Sequence, residues 1–145
     1  MKIIFELDCE DGFPPIQYEK LNAEQISKNQ FKIVNTPFFI DEVSYGDIVV
    51  ALETDNEEQF EFLCVEKNAS FTSISIIILD SSVDDELKDI FTGFNCVMEY
   101  GEFGNLRIFA VAIPTSSPYK QIASQLDDLE TAAKISYSEL AIAHQ

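Results

Sequence analysis

Carboxylates are the one reactive group this chain carries in quantity. Twenty-six acids stand against nine bases in 145 residues, for a formal net charge of −17. The other chemistry-bearing types are sparse: one histidine (His144), three cysteines (Cys9, Cys64, Cys96) and one arginine (Arg107). Acid–base and nucleophilic catalysis need a base tuned by its surroundings and placed beside the reacting group. His144 stands next to the last residue of the sequence, where chains fray, and is expected to be a poor general base. Cys9 lies between Asp8 and Glu10, whose charges oppose a thiolate, and no CxxC pair occurs. The five glycines form neither GxGxxG nor GxxxxGK, so no phosphate cradle is signalled. Asp80, Asp84, Asp85 and Glu86 lack the alternating oxygen ligands of a calcium loop, and the cysteines lack zinc spacing. These residues assign no catalytic group, metal or cofactor, and the chain is expected not to be an enzyme.

The charge itself is informative. A small domain needs a net charge of only about 2–8 for solubility. An excess like this one strains the compact state by self-repulsion, speeds association with basic partners, and repels nucleic acid and anionic membranes. The acids are unevenly spread: residues 1–66 carry a net −11 and residues 67–145 a net −6. The Glu53–Glu66 stretch is among the densest. Contact with a basic partner is therefore expected at Asp55, Glu57, Glu58 and Glu61, and at Asp84, Asp85 and Glu86, with Tyr45 and Asp47 on a loop lip as further candidates. The expected function is an acidic immunity or inhibitor protein that neutralises a basic toxin, with nuclease toxins a natural target because their sites attract phosphate. The alternative is a small-ligand-binding or regulatory domain. The three unpaired cysteines suit a reducing compartment as small, mostly buried thiols. Lys2–Leu7 turns acidic too soon for a secretion signal, and no apolar run is long enough for a membrane helix, so the cytoplasm is the expected location.

The elements that must position these groups follow from periodicity. Strands are expected at Lys2–Leu7, Ile16–Asn22, Gln30–Asn35, Asp47–Glu53 and Gln59–Glu66, the last two joined as a hairpin by the polar turn Thr54–Glu58. Gly12, Pro14 and Pro15 make Asp8–Pro15 a loop. Thr72–Leu79 is β-branched and apolar. Acids after Asp80 favour a helix N-terminus, and Val83, Leu87, Ile90 and Phe91 share one face of a helix over 83–93. Strands at Cys96–Tyr100 and Leu106–Ile113 and a helix over 118–130 follow, with Ile135–Ala143 either strand or short helix. The expected class is α+β in a single domain over 1–145. A β-rich lobe (1–67) leads into a ferredoxin-like β-α-β-β-α(-β) lobe (68–145), an antiparallel sheet with two helices.

Val34-Asn35-Thr36-Pro37-Phe38-Phe39 and Val43-Ser44-Tyr45-Gly46-Asp47-Ile48-Val49 form a recognisable pair of motifs, N-x-P-F-[FY] followed by Y-G-D-x-V. Ala110–Pro114, Tyr137-Ser138-Glu139-Leu140 and the late His144 accompany them. With these motifs the chain resembles small bacterial proteins of the domain of unknown function 4265 family. The resemblance implies a bacterial cytoplasmic origin and assigns no activity. In physical terms the motifs suggest structure: Pro37 belongs at a strand end, Gly46 allows a positive φ, Asp47 can bind turn amides, and Phe38 and Phe39 are expected to plug the core beside the turn.

Overall fold

In the computed structural model, which describes residues 1–144, the first five strands close on themselves. They are β1 (Lys2–Glu6), β2 (Tyr18–Gln25), β3 (Gln30–Ile33), β4 (Ile48–Glu53) and β5 (Gln59–Lys67). Neighbouring strands pair antiparallel, and closure comes from β1 running parallel to β5, with Ile3 opposite Phe60. Alternation explains the interior. Side chains of period two point inward, so Ile3, Phe5, Leu21, Ala23, Phe31, Ile33, Val49, Ala51 and Phe60 meet as one core, joined by Val43 from the β3–β4 connection. Phe31 stacks against Phe60 and Phe5 against Phe62.

The remaining chain forms β6 (Phe71–Ile78), α1 (Asp84–Phe91), β7 (Val97–Phe103), β8 (Leu106–Pro114), α2 (Tyr119–Thr131) and β9 (Ile135–Ala141). The strands lie in the order β7-β8-β6-β9, all antiparallel. One face of this sheet packs Ile74, Ile76, Phe109, Val111 and Ile113 under Leu87, Ile90, Ile122, Leu126 and Leu129 of the two helices. The other face carries Ile108 and the small residues Ser73, Ser75, Ala110 and Ala112, which are buried although no helix covers them. The β3–β4 connection of the barrel lies there instead: Thr36 bonds the Val97 carbonyl, the Phe38 ring stands over Gly101, and the Glu42 amide reaches the Leu140 carbonyl.

This architecture corrects the expected fold class. The chain is β-rich, a closed five-stranded barrel with a second sheet and two helices. It is not a β-rich lobe leading into a ferredoxin-like lobe with an open sheet face. Closure rests on pairing residues 2–4 with 59–61, and local periodicity says nothing about contacts at that separation. The C-terminal segment is a strand, β9, paired with β6. No helix among the described residues is long and apolar enough to cross a membrane.

Candidate functional site

Two carboxylates fasten the N-x-P-F-F segment between barrel and sheet. Glu19 stands in the inward phase of β2, between positions that line the barrel, and is only 5% exposed. Its Oε2 accepts the Phe38 amide at 2.6 Å, and its Oε1 accepts the amides of Phe39 at 3.0 Å and Ile40 at 2.8 Å. Burial raises its pKa above the ordinary carboxylate range. The three amides pull it down, and the nearby Glu99 charge adds to the rise. Glu99, on β7, faces the same segment from the sheet. Its two oxygens accept Asn35 Nδ2 and the Thr36 amide. Asn35 in turn accepts the Asn22 amide of β2 through its own Oδ1. The connection is thus tied to β2 on one side and β7 on the other. Phe38 and Phe39 pack edge-on against Phe103 of β7 and are half-buried; they seal this junction and do not fill the barrel core as expected.

A cleft of about 480 Å³ opens beside that junction. Tyr18, Lys20 and Leu21 of β2 line one wall, Tyr100 and Phe103 of β7 the other, and Phe38 lies among them. Both bounding carboxylates accept amides of the chain itself, three on Glu19 and two on Glu99.

The Y-G-D motif is a second fastener. Asp47 is 2% exposed and accepts the Ser44 amide through Oδ2 at 2.9 Å and the Ala69 amide through Oδ1 at 2.7 Å. Burial raises its pKa and the two amides oppose the rise. Gly46 takes a φ of +85°, which lets its amide reach the Ile33 carbonyl. Tyr45 is half-buried, edge-on to Phe71. Asp47 is therefore not presented on a loop lip, and Tyr45 only partly so.

The other expected contact residues divide into two groups. Asp55, Glu57 and Glu58 lie exposed in the β4–β5 turn and Glu61 exposed on β5. Thr54 and Asn56 hold the turn's shape by bonding its backbone. Asp84, Asp85 and Glu86 form the first turn of α1 on the second sheet, and no described cleft has members of both groups in its lining. Asp85 and Glu86 are exposed, whereas Asp84 Oδ2 is held at 2.6 Å by Arg107. That is the only ion pair among the described residues.

His144 does not fray. Thr72 Oγ1, fully buried, accepts the amides of Ala143 and His144 and stands 2.6 Å from His144 Nδ1. With two amides already donated to it, the hydroxyl gives its proton to Nδ1, and Nε2–H donates to the Ser117 carbonyl at 3.1 Å. Tyr119 stacks on the ring. Both nitrogens of the imidazole are thus engaged. Cys9 and Cys64 are exposed, contrary to the expectation of mostly buried thiols, while burial pushes the Cys96 thiol up to about 11. No group of three or more metal-binding side chains converges among the described residues.

Sequence reasoning missed Glu19 and Glu99, which order the junction, and named Asn35 only as the first residue of its motif. The signal for Glu19 was present: in Tyr18-Glu19-Lys20-Leu21-Asn22-Ala23 it is in phase with the inward Leu21 and Ala23. A family model described as "Domain of unknown function (DUF4265)" matches residues 19–137, a span that holds both fastening carboxylates. No curated protein matches the chain. A solved structure described as "Novel crystal structure of a hypothetical protein from Neisseria gonorrhoeae" is similar, with a TM-score of 0.76 and 21% identity over 99% of this chain and 94% of that one. At that identity the likeness concerns the fold alone.

Proposed function

The chain belongs to the DUF4265 family, whose description carries no activity, and from its surface we propose that it is a binding protein that captures and neutralises a basic protein in the bacterial cytoplasm, as an immunity protein does a toxin. The observation that carries this is the unpaired acidity. Of 26 acids, Asp84 alone is in an ion pair among the described residues. An uncompensated field of this kind attracts Lys- and Arg-rich surfaces, accelerates encounter and repels nucleic acid. The β4–β5 turn, with Asp55, Glu57 and Glu58 exposed on a backbone fixed by Thr54 and Asn56, is one dense part of that field. His144, Glu19 and Asp47 are engaged by groups of the chain itself, which supports reading the exposed acids as the binding surface.

The test is protection. The chain is co-expressed with a basic toxin domain encoded beside its gene, and survival and salt-dependent association are measured. Survival with binding that weakens steeply as salt rises is the expected result. Loss of viability despite expression, with no association at low salt, overturns the proposal. A thermal-shift screen against small metabolites separates the small-ligand alternative, which requires a stabilising compound.

A further inference from the structure

We infer that the cleft between β2 and β7 docks an extended backbone segment of the basic partner, which pairs with the open edge of β2 at Tyr18 and Lys20. This rests on the proposed capture of a basic protein and says how part of that protein is held.

The backbone directions carry the inference. In β2 the residues paired by hydrogen bonds to β1 are set by the flanking bonds, Ala23 N to the Met1 carbonyl and Leu7 N to the Gln17 carbonyl. Those bonds assign Gln17, Glu19, Leu21 and Ala23 to the β1 side. Asn22 accordingly faces away, and its two backbone groups are satisfied there: its amide by Asn35 Oδ1 and its carbonyl by the Val34 amide. Lys20 and Tyr18 follow in the same phase, yet β3 pairs with β2 only at Ala23–Gln25. Among the described residues, no hydrogen bond reaches the N–H or C=O of Tyr18 or Lys20 on that side. The barrel therefore has a gap in its wall, and this gap borders the cleft of about 480 Å³.

The chain itself shows what fits. Val34–Thr36 runs into the upper end of the gap, bonding Asn22 on one side and Glu99 and Val97 on the other. After Pro37 the chain bonds the Glu19 side chain and not the β2 backbone, leaving the backbone groups of Tyr18 and Lys20 unpaired. An extended segment entering there meets unpaired donors and acceptors of β2 along its backbone, which is how a free strand edge recruits another chain. Aromatic walls from Tyr18, Tyr100, Phe103 and Phe38 receive its apolar side chains. The net charge of −17 favours lysine or arginine on the entering segment outside the cleft, whose own lining includes Lys20. The occupant is not a second copy, because each copy brings a charge of −17.

The test uses the full chain and a short end-blocked peptide alternating lysine and valine, against the same peptide with alternate amides N-methylated. Binding is followed by amide hydrogen exchange and titration at low salt. The unmodified peptide is expected to slow exchange at Tyr18 and Lys20, and N-methylation to weaken it at least about tenfold, since two or more backbone bonds are lost. Lys20→Pro removes one edge donor without touching a β1 ladder bond and is expected to weaken binding by about two- to tenfold. If that variant fails to fold, the N-methylated peptide still decides. Equal affinity for both peptides, or protection confined to Thr54–Glu58, overturns the docking site while leaving acidic capture standing. Absence of any binding to the lysine peptide overturns the docking site and leaves acidic capture to the protection assay. Protection of Tyr18 and Lys20 that appears without peptide and grows with protein concentration overturns the choice of occupant.

Discussion

Replacing Glu19 measures how much of the structure hangs on one buried carboxylate. In Glu19→Ala the amides of Phe38, Phe39 and Ile40 lose acceptors now at 2.6, 3.0 and 2.8 Å. A buried donor left unmade costs about 1–3 kcal/mol. Water entering the vacated volume recovers part of this, and release of a carboxyl whose charged form burial disfavours recovers more. The net loss is expected to be about 2–4 kcal/mol, against a total stability of order 5–15 kcal/mol. Glu19→Gln separates the contributions. Its single oxygen can still serve Phe39 and Ile40, but its NH2 meets the Phe38 N–H donor to donor, so the loss should be about 1–2 kcal/mol. Urea unfolding is the assay, with the midpoint falling in the order wild type, Glu19→Gln, Glu19→Ala at an unchanged slope. Two results would refute the reasoning: a Glu19→Ala protein within about 0.5 kcal/mol of wild type, the usual range for surface changes, or a Gln variant as damaged as the Ala variant.

Three further outcomes follow from the same contacts. Gly101→Ala sets a Cβ about 2.8 Å from the Phe103 ring and 3.0 Å from the Phe38 ring, so the packed rings must shift; calorimetry should show a loss of about 1–3 kcal/mol. Raising salt from about 0.01 M to about 0.15 M shortens the screening length from about 30 to about 8 Å, and with a net −17 the thermal midpoint should rise; a falling midpoint would contradict dominant self-repulsion. Glu19 and Asp47 are both raised by burial, so the folded state holds their protons more tightly than the unfolded chain. Their contribution is fully present below the ordinary carboxylate values and is lost as pH rises through the raised ones. Urea midpoints should therefore fall as pH rises from the ordinary carboxylate range through the raised values, with a smaller fall in Glu19→Gln.

The strands and helices were legible because their periodicities are local. Lys2–Glu6, Gln59–Lys67, Phe71–Ile78 and the Leu87–Ile90–Phe91 helix face all lie close to where alternation or 3.6-residue spacing puts them. Closure of the barrel was not legible, because nothing in Lys2–Ile4 marks Gln59–Glu61 as its parallel partner. The small residues of the sheet's second face were equally silent: Ser73, Ser75, Ala110 and Ala112 look like an open or weakly packed face until the β3–β4 connection is laid on them. The site followed the same rule. The exposed acids of the β4–β5 turn could be read from charge alone. The buried Glu19 was overlooked in a chain with 26 acids, although its inward phase set it apart.

Saturation of hydrogen-bonding capacity separates the parts that fasten from the parts that recognise. Glu19, Asn35, Glu99 and Asp47 each spend their side-chain oxygens on backbone or neighbouring groups within the chain. The Asn35–Phe39 and Tyr45–Asp47 motifs thus hold barrel and sheet together and offer little to a partner. On the proposed reading, recognition uses groups with capacity left over, among them the exposed acids of the β4–β5 turn and the unpaired edge of β2 at Tyr18 and Lys20. Substituting acids in the turn, such as Glu57→Lys with Glu58→Lys, should therefore change affinity for a basic partner while leaving the unfolding midpoint near or slightly above wild type, because it relieves like-charge repulsion at an exposed site. Substituting Glu19 or Asp47 should do the reverse, lowering stability first and affecting binding only through the loss of fold. Binding and unfolding measured side by side on the two sets would show whether fastening and recognition are as separate as the distribution of satisfied groups requires.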